Sequence, residues 1–129
     1  MASTERTILF RCDGSSRIGH GHIHRCVSLA NYMKKNFNYS SIFALSEYSS
    51  TCVKLVDQNS HSIELNKEIF NTEIEWISYL LCLHLPSCLI LDVRSNLSRL
   101  DLESIKRNGL FIISLDDISD RRLACDFNF

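Results

Sequence analysis

Five short runs of β-branched, aromatic and other apolar residues alternate with stretches whose apolar residues recur at helical spacing. This alternation constrains the fold more than any single motif in the chain. The runs are Thr7–Phe10, Ser41–Leu45, Ser62–Leu65, Cys88–Leu91 and Leu110–Leu115. Between the first two, Ile23, Cys26, Val27, Ala30 and Met33 form a helical stripe that starts at His22 and meets Lys34 and Lys35, cations suited to a helix C-terminus. Ser50–Gln58 reads as a short helix, Ile69–His84 as a longer one closed by Pro86, and Leu97–Arg107 as a fourth with Gly109 as its stop. Cys88–Leu91 is apolar throughout, which suits a strand covered on both faces. The expected architecture is α/β: a Rossmann-like parallel sheet with helices on both faces, a single domain over residues 1–129; if the strand order is 3-2-1-4-5, the first and fourth runs are neighbours and their polar ends face one crevice. Arg121–Phe129 looks like the approach to another strand with no helix after it, which raises the expectation that the chain is half of something larger.

With 45% hydrophobic and 22% charged residues, the chain of 129 has enough apolar material for a core without metal or disulfide staples. Its formal charge of −1, with signs interspersed, provides no basic face for nucleic acid or an anionic membrane. The six cysteines contain no C-x-x-C pair and follow no secretory signal, so they read as reduced residues of a cytoplasmic protein. The most apolar stretch, Ile77–Leu91, is shorter than a membrane span and is interrupted by His84 and Pro86.

Ligands of open parallel sheets bind beyond the carboxyl ends of the strands, and there the chain is polar. Arg11, Cys12 and Asp13 follow the first run, Asp92 and Arg94 the fourth, Asp116 and Asp117 the fifth. Ser16, Gly19 and Gly21 lie in the loop between the first run and the first helix, where backbone N–H groups and the positive end of the helix dipole would meet an anion. The loop is not the full G-x-G-x-x-G fingerprint, and no acidic residue is clearly placed after strand two to hold a ribose. His22, on the first helical turn, reads either as a general base aimed into the crevice or as a helix-capping or partly buried histidine without chemistry. Arg25 could pair with Asp13 or Asp92, or be a solvated helix residue. His20, His22 and His24 with Asp13 would suggest a metal, but their spacing matches no standard zinc pattern, and none is expected. Trp76 reads as core.

The stretch from Leu9 to Cys26, continuing to Leu29 and Ala30, with F-R-x-D, I-G-x-G-H and x-x-R in order, resembles the opening of the pseudaminic-acid pathway UDP-sugar hydrolases and related spore-coat polysaccharide proteins. Leu89–Asp92, Leu115–Asp117 and Cys125–Phe129 resemble that family's later strand ends. The resemblance implies one half of a GT-B architecture and hydrolysis of a UDP-linked diacetamido-trideoxy sugar to free sugar and UDP. It makes His22 the base that activates water, with Arg11, Asp13, Ser16, Gly19, Gly21, Arg25, Asp92, Arg94 and Asp117 around the substrate and no cofactor. Asp92-Val93-Arg94 departs from that family's Asp-x-Tyr. Two alternatives stay open beside it: a GT-B glycosyltransferase half, and a non-catalytic subunit or fragment needing a C-terminal GT-B domain or a partner subunit for the nucleotide. Whether this half alone is an enzyme stays open with them.

Overall fold

A computed structural model describes residues 6–129. Six parallel strands form one sheet in the order β3-β2-β1-β4-β5-β6. In chain order the elements are β1 (Arg6–Cys12), α1 (Gly21–Phe37), β2 (Tyr39–Leu45), α2 (Ser50–Gln58), β3 (Ser62–Leu65), α3 (Glu73–His84), β4 (Cys88–Asp92), α4 (Arg99–Ile105), β5 (Phe111–Ser114), a 3-10 turn (Asp120–Ala124) and β6 (Phe127–Asn128). The Rossmann-like α/β class is as the sequence predicts, and the first five strands take the supposed order 3-2-1-4-5.

The period-two alternation of the strands divides the core into two layers. Leu9, Ile42, Ala44, Leu89, Leu91 and Ile112 face α3 and α4, where they meet Trp76, Ile77, Leu80 and Leu102. Ile8, Phe10, Phe43, Leu45 and Ile90 face α1 and α2, against Ile23, Cys26, Val27, Ala30, Cys52 and Val56. The same alternation decides which way the polar strand ends point. Arg11, two residues after Leu9, points to the α3 side, and Asp92, two residues after Ile90, points to the α1 side in register with Cys12. Cys12, Cys26 and Cys52 are buried and free. No helix is long and apolar enough to cross a membrane among the described residues.

Boundaries move where capping overrides periodicity. Helix α3 begins at Glu73 rather than Ile69, because the Thr72 hydroxyl accepts from the Glu75 N–H and Glu68 adopts a φ of 58°. Helix α4 shrinks to Arg99–Ile105, set by a reciprocal capping box between Ser98 and Asp101. The short turn at Asp120–Ala124 was not expected from the sequence.

His61 ties α1 to the loop before β3. It is buried beside the Phe43 ring at 5.5 Å, and its Nε2 lies 2.7 Å from Asn31 Oδ1. Burial, and then the charge of Lys34, push its pKa below the ordinary histidine value of 6.5. The unfolded chain therefore binds this proton more readily than the folded one. The stabilisation is complete above about pH 6.5 and is lost as the pH falls through the lower folded value. Wild-type Tm should accordingly drop from pH 7 to about pH 5, and His61→Gln should flatten the drop; parallel Tm curves for the two proteins would refute the assignment.

Candidate functional site

The crevice opens beyond the carboxyl ends of β1, β2 and β4, where the loop after β1 folds over the loop after β2. The Gly14 N–H donates to the Glu47 carbonyl at 3.0 Å and the Ser49 N–H to the Gly14 carbonyl at 2.9 Å. Only glycine fits at position 14, since a Cβ would stand 2.5 Å from Ile23 Cγ1 and 2.6 Å from Cys52 Sγ. Gly19 has a φ of +83°, closing a tight turn in which its N–H donates to the Ser15 carbonyl at 2.7 Å. Gly19 and Gly21 face open space, and no side chain caps the first turn of α1. Its amides are thus left to solvent or ligand.

Two of the expected binding residues turn out to hold the scaffold. Arg11 is 2% exposed and lies over the Trp76 ring at 5.3 Å, facing away from the crevice. Its Nε donates to Glu73 Oε2 at 2.8 Å, and its Nη1 and Nη2 donate to the Asp13 carboxylate at 2.6 and 3.2 Å. Burial alone would disfavour this guanidinium, but the hydrogen bonds and charges of Asp13 and Glu73 outweigh it and raise its pKa. Asp13 also accepts the Ser46 and Glu47 N–H groups at 2.8 and 3.1 Å. Its carboxylate lines the crevice with its bonding capacity largely used, tying β1 to the β2 loop. Trp76 is core, as expected.

At the centre stands Asp92, 1% exposed at the end of β4. One of its oxygens takes His22 Nδ1 at 2.6 Å, and both are bonded by Arg25 through Nε and Nη2. His22 and Arg25 sit three apart on α1, so both reach the same carboxylate from one helix face. Arg25 Nη1 continues to Asp116 Oδ2 at 2.7 Å, and Asp116 holds a left-handed φ of 54°. The Arg25 pKa is raised by its hydrogen bonds to Asp92 and then Asp116. The Nδ1 atom of His22 faces a carboxylate, and its Nε2 has no hydrogen-bond partner among the described residues. His22 is not a helix cap, since the N-cap residue is His20, which makes no side-chain cap bond; His22 is partly buried at the rim of the crevice.

Two cavities meet at this pair. One, of about 560 Å³, is lined by Asp13, Arg17, Ile18 and Glu47; the other, of about 590 Å³, by Ser95, Asn96, Leu115 and the Asp116–Arg121 segment. His22, Asp92, Val93 and Arg94 line both. Arg94 forms no ion pair among the described residues, so it is the cation at the junction without a fixed counter-charge. Asp117 is committed to Ser119 and Arg121. Burial raises its pKa, yet the bonds from these two partners outweigh burial and lower it overall. Ser16 is exposed and lines neither cavity; the serine with a role is Ser15, whose hydroxyl donates to Glu47 Oε2 at 2.5 Å.

Glu47, paired with Arg17 and lining the first cavity, corrects the expectation that no acidic residue follows strand two. The residue stands two positions beyond β2, and only the folding of the β1 loop against it makes its place apparent. The histidines diverge: His20 Nε2 meets Ser49 Oγ at 3.2 Å, His22 meets Asp92, and His24 is exposed. No group of three or more His, Cys, Asp or Glu residues is placed to hold a metal ion among the described residues. Cys26, whose Sγ lies 3.5 Å from Asp92 Oδ2, is no nucleophile, because its contact with Cys12, its burial and the Asp92 charge all raise its pKa.

No protein-family model and no curated protein matches the chain. Among solved structures, phosphoribosylglycinamide formyltransferase from Anaplasma phagocytophilum matches with a TM-score of 0.53 at 13% sequence identity, over 84% of this chain and 49% of that one. The chain therefore spans about half the length of that structure. These findings overturn the resemblance to the pseudaminic-acid pathway UDP-sugar hydrolases and, with it, the reading of UDP-sugar hydrolysis: no family model supports it, and the matching structure carries a different activity. The physical reason is that a small-residue loop leading into a helix belongs to the strand-to-helix turn of this fold in general, and one fold serves many reactions. At this identity the likeness establishes what the sheet order already shows, that the chain has a Rossmann-like α/β fold.

Proposed function

We propose that the chain acts as a proton-transfer catalyst on a small anionic metabolite, with His22 as general base and Asp92 holding its tautomer. The observation that carries this reading is the 2.6 Å contact between His22 Nδ1 and the buried Asp92, on a histidine that lines both cavities. A histidine so oriented takes a proton from a hydroxyl, amine or water as that group attacks an electrophilic centre. Arg94 and the uncapped amides of α1 supply the anion-binding side, and each cavity is of the size that holds a small ligand. The proposal takes residues 1–129 as one domain working in the cytoplasm. The neighbouring structure is named for the transfer of a formyl group, and its likeness supports the scaffold rather than that reaction.

The test is turnover of a panel of phosphorylated and carboxylated metabolites, each offered with water, amine or alcohol acceptors, by the wild-type chain and by His22→Ala. Histidine-dependent product formation supports the reading. Turnover equal in the two proteins would sink it.

A second reading, a binding half that docks on a partner subunit, is favoured by the aromatic residues left exposed beside the last strand. Phe111, Phe127 and Phe129 are each more than half exposed. Sedimentation of the chain and of Phe127→Asp tests it with a second copy as the partner: association that the aspartate abolishes supports a docking face, and a monomer in both cases excludes a second copy as that partner.

A further inference from the structure

The chain Asp116–Arg25–Asp92–His22 is more than the pairing a base requires, because a histidine and one carboxylate suffice to set a tautomer. Arg25 engages both Asp92 oxygens at once, comes within 3.5 Å of His22 Nδ1, and is fastened from behind by Asp116 in a backbone conformation that non-glycine residues seldom adopt. We infer that Arg25 is a positioning residue for His22: it fixes the Asp92 carboxylate and offsets its charge, so that His22 donates from Nδ1 and keeps Nε2 available to accept a proton. This rests on the reading of His22 as the base.

The physical argument is competition for one buried charge. Asp92 is almost wholly out of water, and an unpaired carboxylate there would draw a positive partner. With Arg25 in place that partner is the guanidinium, and the imidazole needs only to donate one hydrogen bond. Without Arg25, the remaining candidate is His22 itself, which would hold a second proton and lose its capacity as a base. The other charged groups around His22 are held elsewhere. From the β1 loop, Asp13 is bound to Arg11 and Arg17 to Glu47; beyond β5, Asp117 is bound to Arg121; Arg94 after β4 forms no ion pair with Asp92 among the described residues. Asp116, once released from Arg25, would be a further negative charge near the imidazole and would act in the same direction.

The experiment reads His22 directly and needs no substrate. Nitrogen-15 shifts of its imidazole, followed from pH 5 to 9, give both the tautomer and the titration midpoint in wild type, Arg25→Ala, Arg25→Lys, Asp116→Asn and Arg94→Gln. We expect Arg25→Ala to raise the midpoint by about one pH unit or more. Arg25→Lys should recover part of the shift, since it restores the charge without the fork. Asp116→Asn should loosen the fork and alter the tautomer ratio, and Arg94→Gln should move the midpoint less than Arg25→Ala does. A wild-type midpoint in folded Arg25→Ala overturns the inference, as does an equal shift in Arg94→Gln, which would reduce Arg25 to a general charge effect. If Arg25→Ala does not fold, unchanged midpoints in both Arg25→Lys and Asp116→Asn overturn it instead. Failure of His22→Ala to affect turnover would overturn the proposed function while leaving these titrations unaltered, so the two outcomes are separable.

Discussion

Asp13→Ala lowers the stability of the domain by about 3–5 kcal/mol, a large fraction of what a domain of this size holds in total. The cost arises from what remains behind. Arg11 cannot reach water from its place under α3, and it would keep one carboxylate, Glu73, and the carbonyls of Cys12 and Ala44 at 3.1 and 3.4 Å. The N–H groups of Ser46 and Glu47 lose their acceptor in the same step. Urea unfolding measures the loss as a change in midpoint at constant m. Two companions sharpen the test. Glu73→Gln keeps an acceptor on a half-buried side chain and should cost less. Arg11→Met combined with Asp13→Ala removes both buried charges together and should recover part of the deficit. A loss below about 1 kcal/mol for Asp13→Ala would mean that water reaches Arg11 after all.

The second large effect is on turnover. His22→Ala should reduce the rate about 10²–10⁴-fold, the contribution of a positioned general base. Asp92→Asn should approach the same loss while leaving the imidazole in place, because an amide can donate to Nδ1 and drive the proton onto Nε2, the wrong tautomer for a base; the principle is established for the serine-protease triad. The change should appear in the ligand-free protein as a nitrogen-15 signature of the Nε2–H form. Equal rates in wild type and Asp92→Asn would reduce that carboxylate to a structural counter-charge for Arg25.

Much of this molecule was legible in the chain, and the parts that were not share a cause. The strand ends carrying Asp92, Arg94 and Asp117 were identified because ligand crevices of parallel sheets lie at strand carboxyl termini, and His22 because it opens the helix after β1. Arg11 was misplaced among the binding residues: strand alternation turns it to the α3 side of the sheet, opposite its neighbour Cys12 and the His22–Asp92 pair, and its partner Glu73 is 62 residues away. Glu47 was missed for a related reason, since nothing local links it to Arg17, 30 residues earlier. The start of α3 was misjudged because a single hydroxyl on Thr72 outweighed the two apolar residues before it, Ile69 and Phe70.

The family reading failed at another level. The string of small residues, histidines and arginine from Arg11 to Arg25 is real, but it encodes a loop geometry that many chemistries share. What the sequence determined by itself was therefore local and periodic: the α/β alternation, the apolar faces and the polar rim. Such features depend on neighbours a few residues apart, and periodicity exposes them. The tertiary structure alone decided which carboxylate each cation meets. Arg25 chooses Asp92 and Asp116 over Asp13 because strand register and helix packing bring groups 67 and 91 residues distant within bonding range, and no property of an isolated segment carries that information.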